Sequence, residues 1–214
     1  MKRIILIVLV LIIITGASIV LAVSMSPTKG LNVTMNESPN KPVILIVIDS
    51  LMNEPLQKVI QENKAPALSF LINNGYLEPQ VISSYPTMSV TIDSTLLTGT
   101  YANEHKIPGL IWFKEDENRI ISYGSGISEM WHNGIKNVAR DSVIHLNNEH
   151  LSNTVQTIHE QLATRNIQSA SINGLLYRGS VKHQLHVPKL ISTTKLLPDK
   201  IITNGPTLLS LGAL

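Results

Sequence analysis

The chain has 214 residues, 43% of them apolar, with 17 Lys and Arg against 15 Asp and Glu, and no cysteine. That length and apolar content suffice for one domain with a substantial core, and the lack of cysteine excludes disulfides, thiol catalysis and cysteine zinc sites. Near-neutral charge without like-charge blocks, and an aromatic content of only 4%, argue against a nucleic-acid surface.

Lys2 and Arg3 precede residues 4–23, an uncharged aliphatic run interrupted only by Thr15, Gly16 and Ser18. At ~1.5 Å per residue such a run covers the ~30 Å hydrocarbon core of a bilayer. The basic pair favours a cytoplasmic N-terminus. The sequence therefore predicts a transmembrane anchor over 1–23 and a single-pass protein of the cell membrane with its domain outside. The alternative is a signal peptide cleaved near Ala22-Val23-Ser24, which makes the protein secreted. Residues 24–41, rich in Ser, Pro, Asn and Thr, read as a linker. Asn32-Val-Thr and Asn36-Glu-Ser are glycosylation sequons in a eukaryotic secretory setting.

Residues 42–214 are expected to form the α/β domain. Val43 to Ile48 is an unbroken β-branched and Leu run, the pattern of a central parallel strand covered on both faces. It stops at Asp49, and in open α/β sheets the ligand crevice lies at the carboxyl ends of the strands. Asp49 is then either a metal or substrate contact or a helix N-cap. Lys64 to Gly75 predicts a helix, with Pro66 near its start and Gly75 as its stop. Tyr76 to Ile82 predicts a second strand, Thr154 to Arg165 a further helix and Ile167 to Ile172 a short strand.

The segment SSYPTMSVTIDSTLLTGTYANEHKIPG, residues 83–109, carries nine Ser or Thr residues between Ser83 and Thr100 around the single carboxylate Asp93. Met88, Ile92 and Leu96 recur every four residues, which predicts a helix over Val90 to Leu97 with Pro86, Thr87 and Ser89 at its start. A helix N-terminus offers free N–H groups and a positive dipole end to a phosphate or alkoxide. A hydroxyl there, activated by a metal, attacks phosphorus. The plainer alternative makes Thr87 or Ser89 an N-cap worth ~1 kcal/mol.

Several segments in order resemble the N-terminal half of the type I phosphodiesterase/nucleotide pyrophosphatase family of the alkaline phosphatase superfamily. VILIVIDSLM is similar to its first strand, APALSFLINNGY to the following helix, YPTMSVTIDSTLLTGTYANEHKIPG to its nucleophile segment, and SINGLLYRG to a strand and loop in the middle of its core. The similarity spans roughly residues 42–188. The resemblance implies an α/β/α sandwich around a mainly parallel sheet, incomplete in this chain. It also implies Ser89 as nucleophile, with Thr87 as runner-up, and Asp49 and Ser89 as metal ligands. Two divalent ions, zinc in most members, and a small phosphate-ester substrate follow from the same resemblance. Three positions depart from the pattern: Ile92 in place of an Asn that helps bind phosphoryl oxygens, Thr91 in place of a Pro, and Lys106 in place of a Gly.

Two such ions need about six protein ligands, mostly Asp and His. The resemblance implies that most come from the family's second half, in an Asp-x-x-x-His element, an Asp-His pair and a late His, none of which is recognised here. The seven histidines read as scattered surface or packing residues. His159-Glu160 lacks a second histidine at Ala163, and His183 and His186 stand close to Pro188. His105 matches a family position with a structural role. The leading expectation is thus an extracytoplasmic, metal-dependent phosphate-ester hydrolase. The alternatives are a truncated, inactive homologue or membrane-tethered binding module, and a sulfatase or phosphoglycerol transferase relative. An incomplete sheet with an open edge predicts that residues 25–214 alone self-associate.

Overall fold

The computed structural model of the protein describes residues 42–124 and 126–211. The expected anchor and linker lie outside them, and among the described residues no helix is long and apolar enough to cross a membrane. Residues 42–45 are extended, exposed chain and group apart from the body that begins at Ile46.

In that body, α1 (Asn53–Gln61) and α2 (Pro66–Asn74) come first. Pro66 sits at the start of α2, where its missing N–H has no intrahelical role. Helix α3 (Ser89–Thr98) ends on Gly99, whose φ of 68° is open to glycine without a Cβ penalty. The short α4 (Ala102–His105) leads into an antiparallel hairpin of β1 (Ile111–Lys114) and β2 (Arg119–Ser122). Helices α5 (Ile127–Asn133) and α6 (Ile135–Arg140) follow, and α6 runs directly into a π-helix over Asp141–His150. Helix α7 (Ile158–Thr164) opens with a capping box. The Thr157 hydroxyl accepts from the Glu160 N–H, and the Glu160 carboxylate accepts from the Thr157 N–H. Strand β3 (Ala170–Ile172) pairs in parallel with β6 (Leu208–Ser210). Strand β4 (Val181–His186) pairs antiparallel with β5 (Lys200–Gly205) around α8 (Lys189–Ser192).

The mixed α/β class holds, but the described residues do not form the expected sandwich around a mainly parallel sheet. They form three separate two-stranded sheets, of which only β3–β6 is parallel. Val43 to Ile48 is not a strand: the run is irregular, unpaired among the described residues and exposed, from 94% at Val43 to 49% at Ile48. Tyr76 to Ile82 is likewise loop, with Tyr76 and Ile82 about nine-tenths exposed. A strand is made by its neighbour's hydrogen bonds, and among the described residues neither run is paired with another segment.

Two apolar clusters organise the body. Val90 of α3, Ile107, Ile121 of β2, Tyr123, Leu146 of the π-helix, Leu151 and Leu176 form the first, with Leu97, Leu110 and Trp112 packed on it. Val187, Leu197 and Ile201 form the second, joined by Val143 and Ile144 from the π-helix. The π-helix therefore lies between the two. Its buried Asn147 fastens the loop after β3, accepting from the N–H groups of Tyr177 (2.7 Å) and Arg178 (3.1 Å) and donating to the Leu175 carbonyl (3.0 Å). Arg178 in turn turns inward. Its guanidinium donates to the carbonyls of Leu151 (2.8 Å), Ser152 (3.0 Å) and Val155 (2.5 Å) and to the Glu160 carboxylate (3.1 Å). Gly179 passes so close to Gly205 that an added Cβ would clash with its carbonyl group, so the SINGLLYRG loop requires glycine at its end.

Candidate functional site

Helix α3 forms where the four-residue apolar spacing predicts it, one residue longer at each end. Fully buried Val90 anchors its first turn in the core. Ser89 is therefore held at the first helical position, half-buried, at the edge of that core. The N-cap residue is Met88, in extended conformation and without a side-chain capping bond. Neither Thr87 nor Ser89 caps the helix. Instead the Ser89 hydroxyl donates to Asp49 Oδ1 at 3.0 Å, across a sequence separation of 40 residues. Thr87 is exposed, two residues upstream. Asp49 sits in the turn after the exposed apolar run, next to Ser50 with its left-handed φ of 60°.

One helical turn after Ser89 stands Asp93. Burial pushes its carboxyl above the ordinary range, and the nearby Asp49 charge adds to the shift. Among the described residues neither carboxylate is ion-paired. Uncompensated negative charge beside a hydroxyl at a helix N-terminus suits a small cation. An Oγ–Oδ1 separation of 3.0 Å is also what two oxygen ligands of one ion show when each lies ~2.1 Å from it. These three side chains fit one divalent ion in part and fall short of the ligand set of two. Asp93 is the member of the site that no motif of the sequence marks. Its signal was the i, i+4 spacing from Ser89, which puts both on one helix face.

Several other hydroxyls of the segment have structural partners, whereas the buried Thr91 Oγ1 has no hydrogen-bond partner among the described residues. Ser94 donates back to the Val90 carbonyl (2.7 Å) and Thr98 to that of Ser94 (2.6 Å), as buried Ser and Thr do inside helices. Thr95 bridges Ser84 (3.2 Å) and His105 Nε2 (3.3 Å). His105 Nδ1 accepts from the Ile107 N–H at 3.1 Å, so the ring proton resides on Nε2 and faces Thr95. Burial holds this imidazole below its ordinary pKa, so it is neutral. His105 thus ties the start of the hairpin loop to α3, a packing role. Lys106, which replaces the family glycine, occupies the left-handed region at φ 65°.

A second constellation was not foreseen. Asp141, His145 and His150 each present a ligand atom within 4.8 Å of the others. Asp141-Ser-Val-Ile-His145 has the Asp-x-x-x-His spacing, so the sequence carried a signal that the expectation of scattered histidines overlooks. It lies ahead of SINGLLYRG, not in the second half where the resemblance puts the family's element. The π-helix is what gathers the three, because its i→i+5 pattern stacks His150 nearly over His145, while Asp141 lies one turn before. The two rings meet edge to face with centroids 5.8 Å apart.

Asp141 is 1% exposed, and burial pushes its carboxyl up. The Arg119 fork (2.7 and 2.9 Å) and His145 Nδ1 (2.9 Å) outweigh that and hold it below the ordinary range. His150 is the reverse case. Burial drives its pKa down to about 4, and the ring is neutral at pH 7. Its Nδ1 is hydrogen-bonded to the Tyr123 hydroxyl at 2.9 Å. Its Nε2 has no hydrogen-bond partner among the described residues, the nearest carboxylate oxygen being Glu117 Oε1 at 3.7 Å.

Of the remaining histidines, His159 is buried against Ser169 (3.1 Å), and His183 Nε2 donates to the Pro206 carbonyl oxygen (2.7 Å). Comparison with protein families finds a match to the model described as Type I phosphodiesterase / nucleotide pyrophosphatase over residues 43–188. No curated protein and no solved structure matches.

Proposed function

Because the chain belongs to the type I phosphodiesterase/nucleotide pyrophosphatase family, we propose that it hydrolyses phosphate esters or nucleotide pyrophosphate bonds with Ser89 as nucleophile and Asp49 as its partner. The observation that carries this reading is the 3.0 Å bond from Ser89 Oγ to Asp49 Oδ1, made in place of a helix cap. Asp49 and Ser89 are the residues that would hold a divalent ion, zinc by the family expectation, and Asp93 stands beside them. Bound there, such an ion supplies the positive charge that lowers the pKa of a serine hydroxyl.

The rest is the work of this chain's own groups. Ser89 Oγ, its proton passed to water, attacks phosphorus in line, and the bond from phosphorus to the ester or pyrophosphate oxygen breaks. The leaving oxygen takes a proton back from water. Water then cleaves the phosphoseryl ester and restores the hydroxyl. The N–H groups of the first turn of α3 offer hydrogen bonds to the phosphoryl oxygens. In this reading residues 1–23 anchor the protein, 24–41 are a linker and 42–214 carry the N-terminal part of an alkaline-phosphatase-like domain on the outer side of the membrane.

A second reading follows from the ligand count. Among the described residues two carboxylates and one hydroxyl meet there, too few for two ions, and such a set suits a homologue that binds phosphate esters without turnover. One experiment separates the two. The full chain is supplied with zinc and a chromogenic phosphodiester, and the acid-quenched protein is analysed for phosphoserine. Turnover that falls to background in Ser89→Ala, with phosphate trapped on Ser89, supports hydrolysis. Absence of both signals at saturating zinc would leave only the binding reading.

A further inference from the structure

We propose that Asp141, His145 and His150 form a binding site for one divalent transition-metal cation, separate in its residues from the Ser89–Asp49 pair. The imidazole-rich donor set, two histidines and one carboxylate, selects ions of the zinc, cobalt and nickel kind over magnesium or calcium. Two independent observations point to a ligand. The first is the π-helix, a rare conformation that recurs at functional sites, here placing all three donors on one face. The second is His150 Nε2, a ring nitrogen without a hydrogen-bond partner in a side chain with 0% exposure. A buried polar atom left bare costs about 1–3 kcal/mol, and a metal–nitrogen bond removes that cost.

The surroundings are those of a metal-binding imidazole. His150 is held at Nδ1 by the Tyr123 hydroxyl, as ligating histidines are held at their non-ligating nitrogen. His145 Nδ1 and Asp141 Oδ1 stand 2.9 Å apart with one proton between them. The cation takes that proton's place. His145 then carries its proton on Nε2, 3.9 Å from Glu149 Oε1, so no proton is gained or lost. His150 Nε2 closes on the same ion. Ligands of one such ion lie roughly 3–3.5 Å apart, so donors within 4.8 Å need a shift of about an ångström. Arg119 competes for Oδ1 through its 2.9 Å bond but keeps its 2.7 Å bond to Oδ2. The cation therefore shares the carboxylate with a guanidinium, which weakens the site relative to an unshared one. His150 and Glu149 also line an open pocket of about 540 Å³ with Trp112 and Lys114, which supplies a route in and room for water as a further ligand.

The test is a Co(II) titration of the full chain followed by visible absorption, since cobalt held by imidazole and carboxylate shows ligand-field bands that a protein without such a site lacks. The expected result is a band that saturates at one bound cobalt in Asp49→Asn, which lacks the other candidate cation site, persists in Ser89→Ala, and disappears in His145→Ala and His150→Gln. His145 is partly exposed, so His145→Ala decides the matter even where His150→Gln disturbs the core, with circular dichroism confirming its fold. No band in the parent chain, a band retained in folded His145→Ala, or a band lost in Asp49→Asn overturns the proposal. Phosphodiesterase activity is not the readout, so failure here and failure of the Ser89 reading are told apart.

Discussion

Arg178 offers the sharpest test of how this fold is held. Its side chain is 8% exposed and its guanidinium serves three backbone carbonyls and the Glu160 carboxylate. Arg178→Met fills much of the same volume but donates nothing. It strands the Leu151, Ser152 and Val155 carbonyls together with a largely buried charge on Glu160. Breaking a buried pair of this kind by removing one partner costs about 3–5 kcal/mol, and each stranded carbonyl adds about 1 kcal/mol, partly overlapping. A loss of about 4 kcal/mol is a large share of the roughly 5–15 kcal/mol that holds a domain together. In a chain of this size it lowers Tm by about 8–16 °C. Urea unfolding of the full chain followed by circular dichroism reads the first number and calorimetry the second. Arg178→Lys keeps the charge without the fork and recovers only a small part. A loss below about 1 kcal/mol for Arg178→Met would mean that water or chain relaxation satisfies these groups, and the reasoning fails.

Two further outcomes are expected. Lys106 holds a left-handed conformation, φ 65°, that costs a non-glycine residue about 1–2 kcal/mol, so Lys106→Gly raises stability by up to about 1 kcal/mol after glycine's own entropy cost; an unchanged or lowered urea midpoint refutes this. The His150 pKa of about 4 sets a pH window: the unfolded chain takes up a proton below its ordinary value near 6.5 while the folded chain resists until about 4, so stability falls as pH is lowered between those limits, by roughly 3 kcal/mol from this residue. His150→Gln removes that part of the slope, and a profile identical to the parent's would contradict it.

Helices were the legible part of this sequence. The four-residue apolar spacing of Met88, Ile92 and Leu96 and the punctuation of Pro66 and Gly75 place α2 and α3 to within two residues, because helical hydrogen bonds are local. The strands were not, because pairing depends on a neighbour that local sequence does not name. Val43 to Ile48 has every mark of a buried strand and has no partner among the described residues, whereas the Lys114 to Arg119 turn, Glu-Asp-Glu-Asn in the middle, closes a hairpin that no turn signature announces. At the site, Ser89 and Asp49 were brought forward by resemblance and are found in contact. Nothing in apolar periodicity distinguishes a π-helix from an α-helix over ten residues, so the meeting of His145 with His150 was beyond that reading even though Asp141 and His145 stood at a telling interval.

The π-helix gives this molecule a residue to spare. Its turns hold more residues than α-helical ones, and that surplus is what aligns His145 with His150. Losing a single codon between the two lets the shortened segment wind as an ordinary α-helix, in which the histidines stand four residues apart and still share a face. An α-helix that loses a residue has no such recourse, and everything beyond the deletion rotates by about 100° around the axis. Substitutions along 146–149 and this one deletion therefore both leave the two imidazoles side by side.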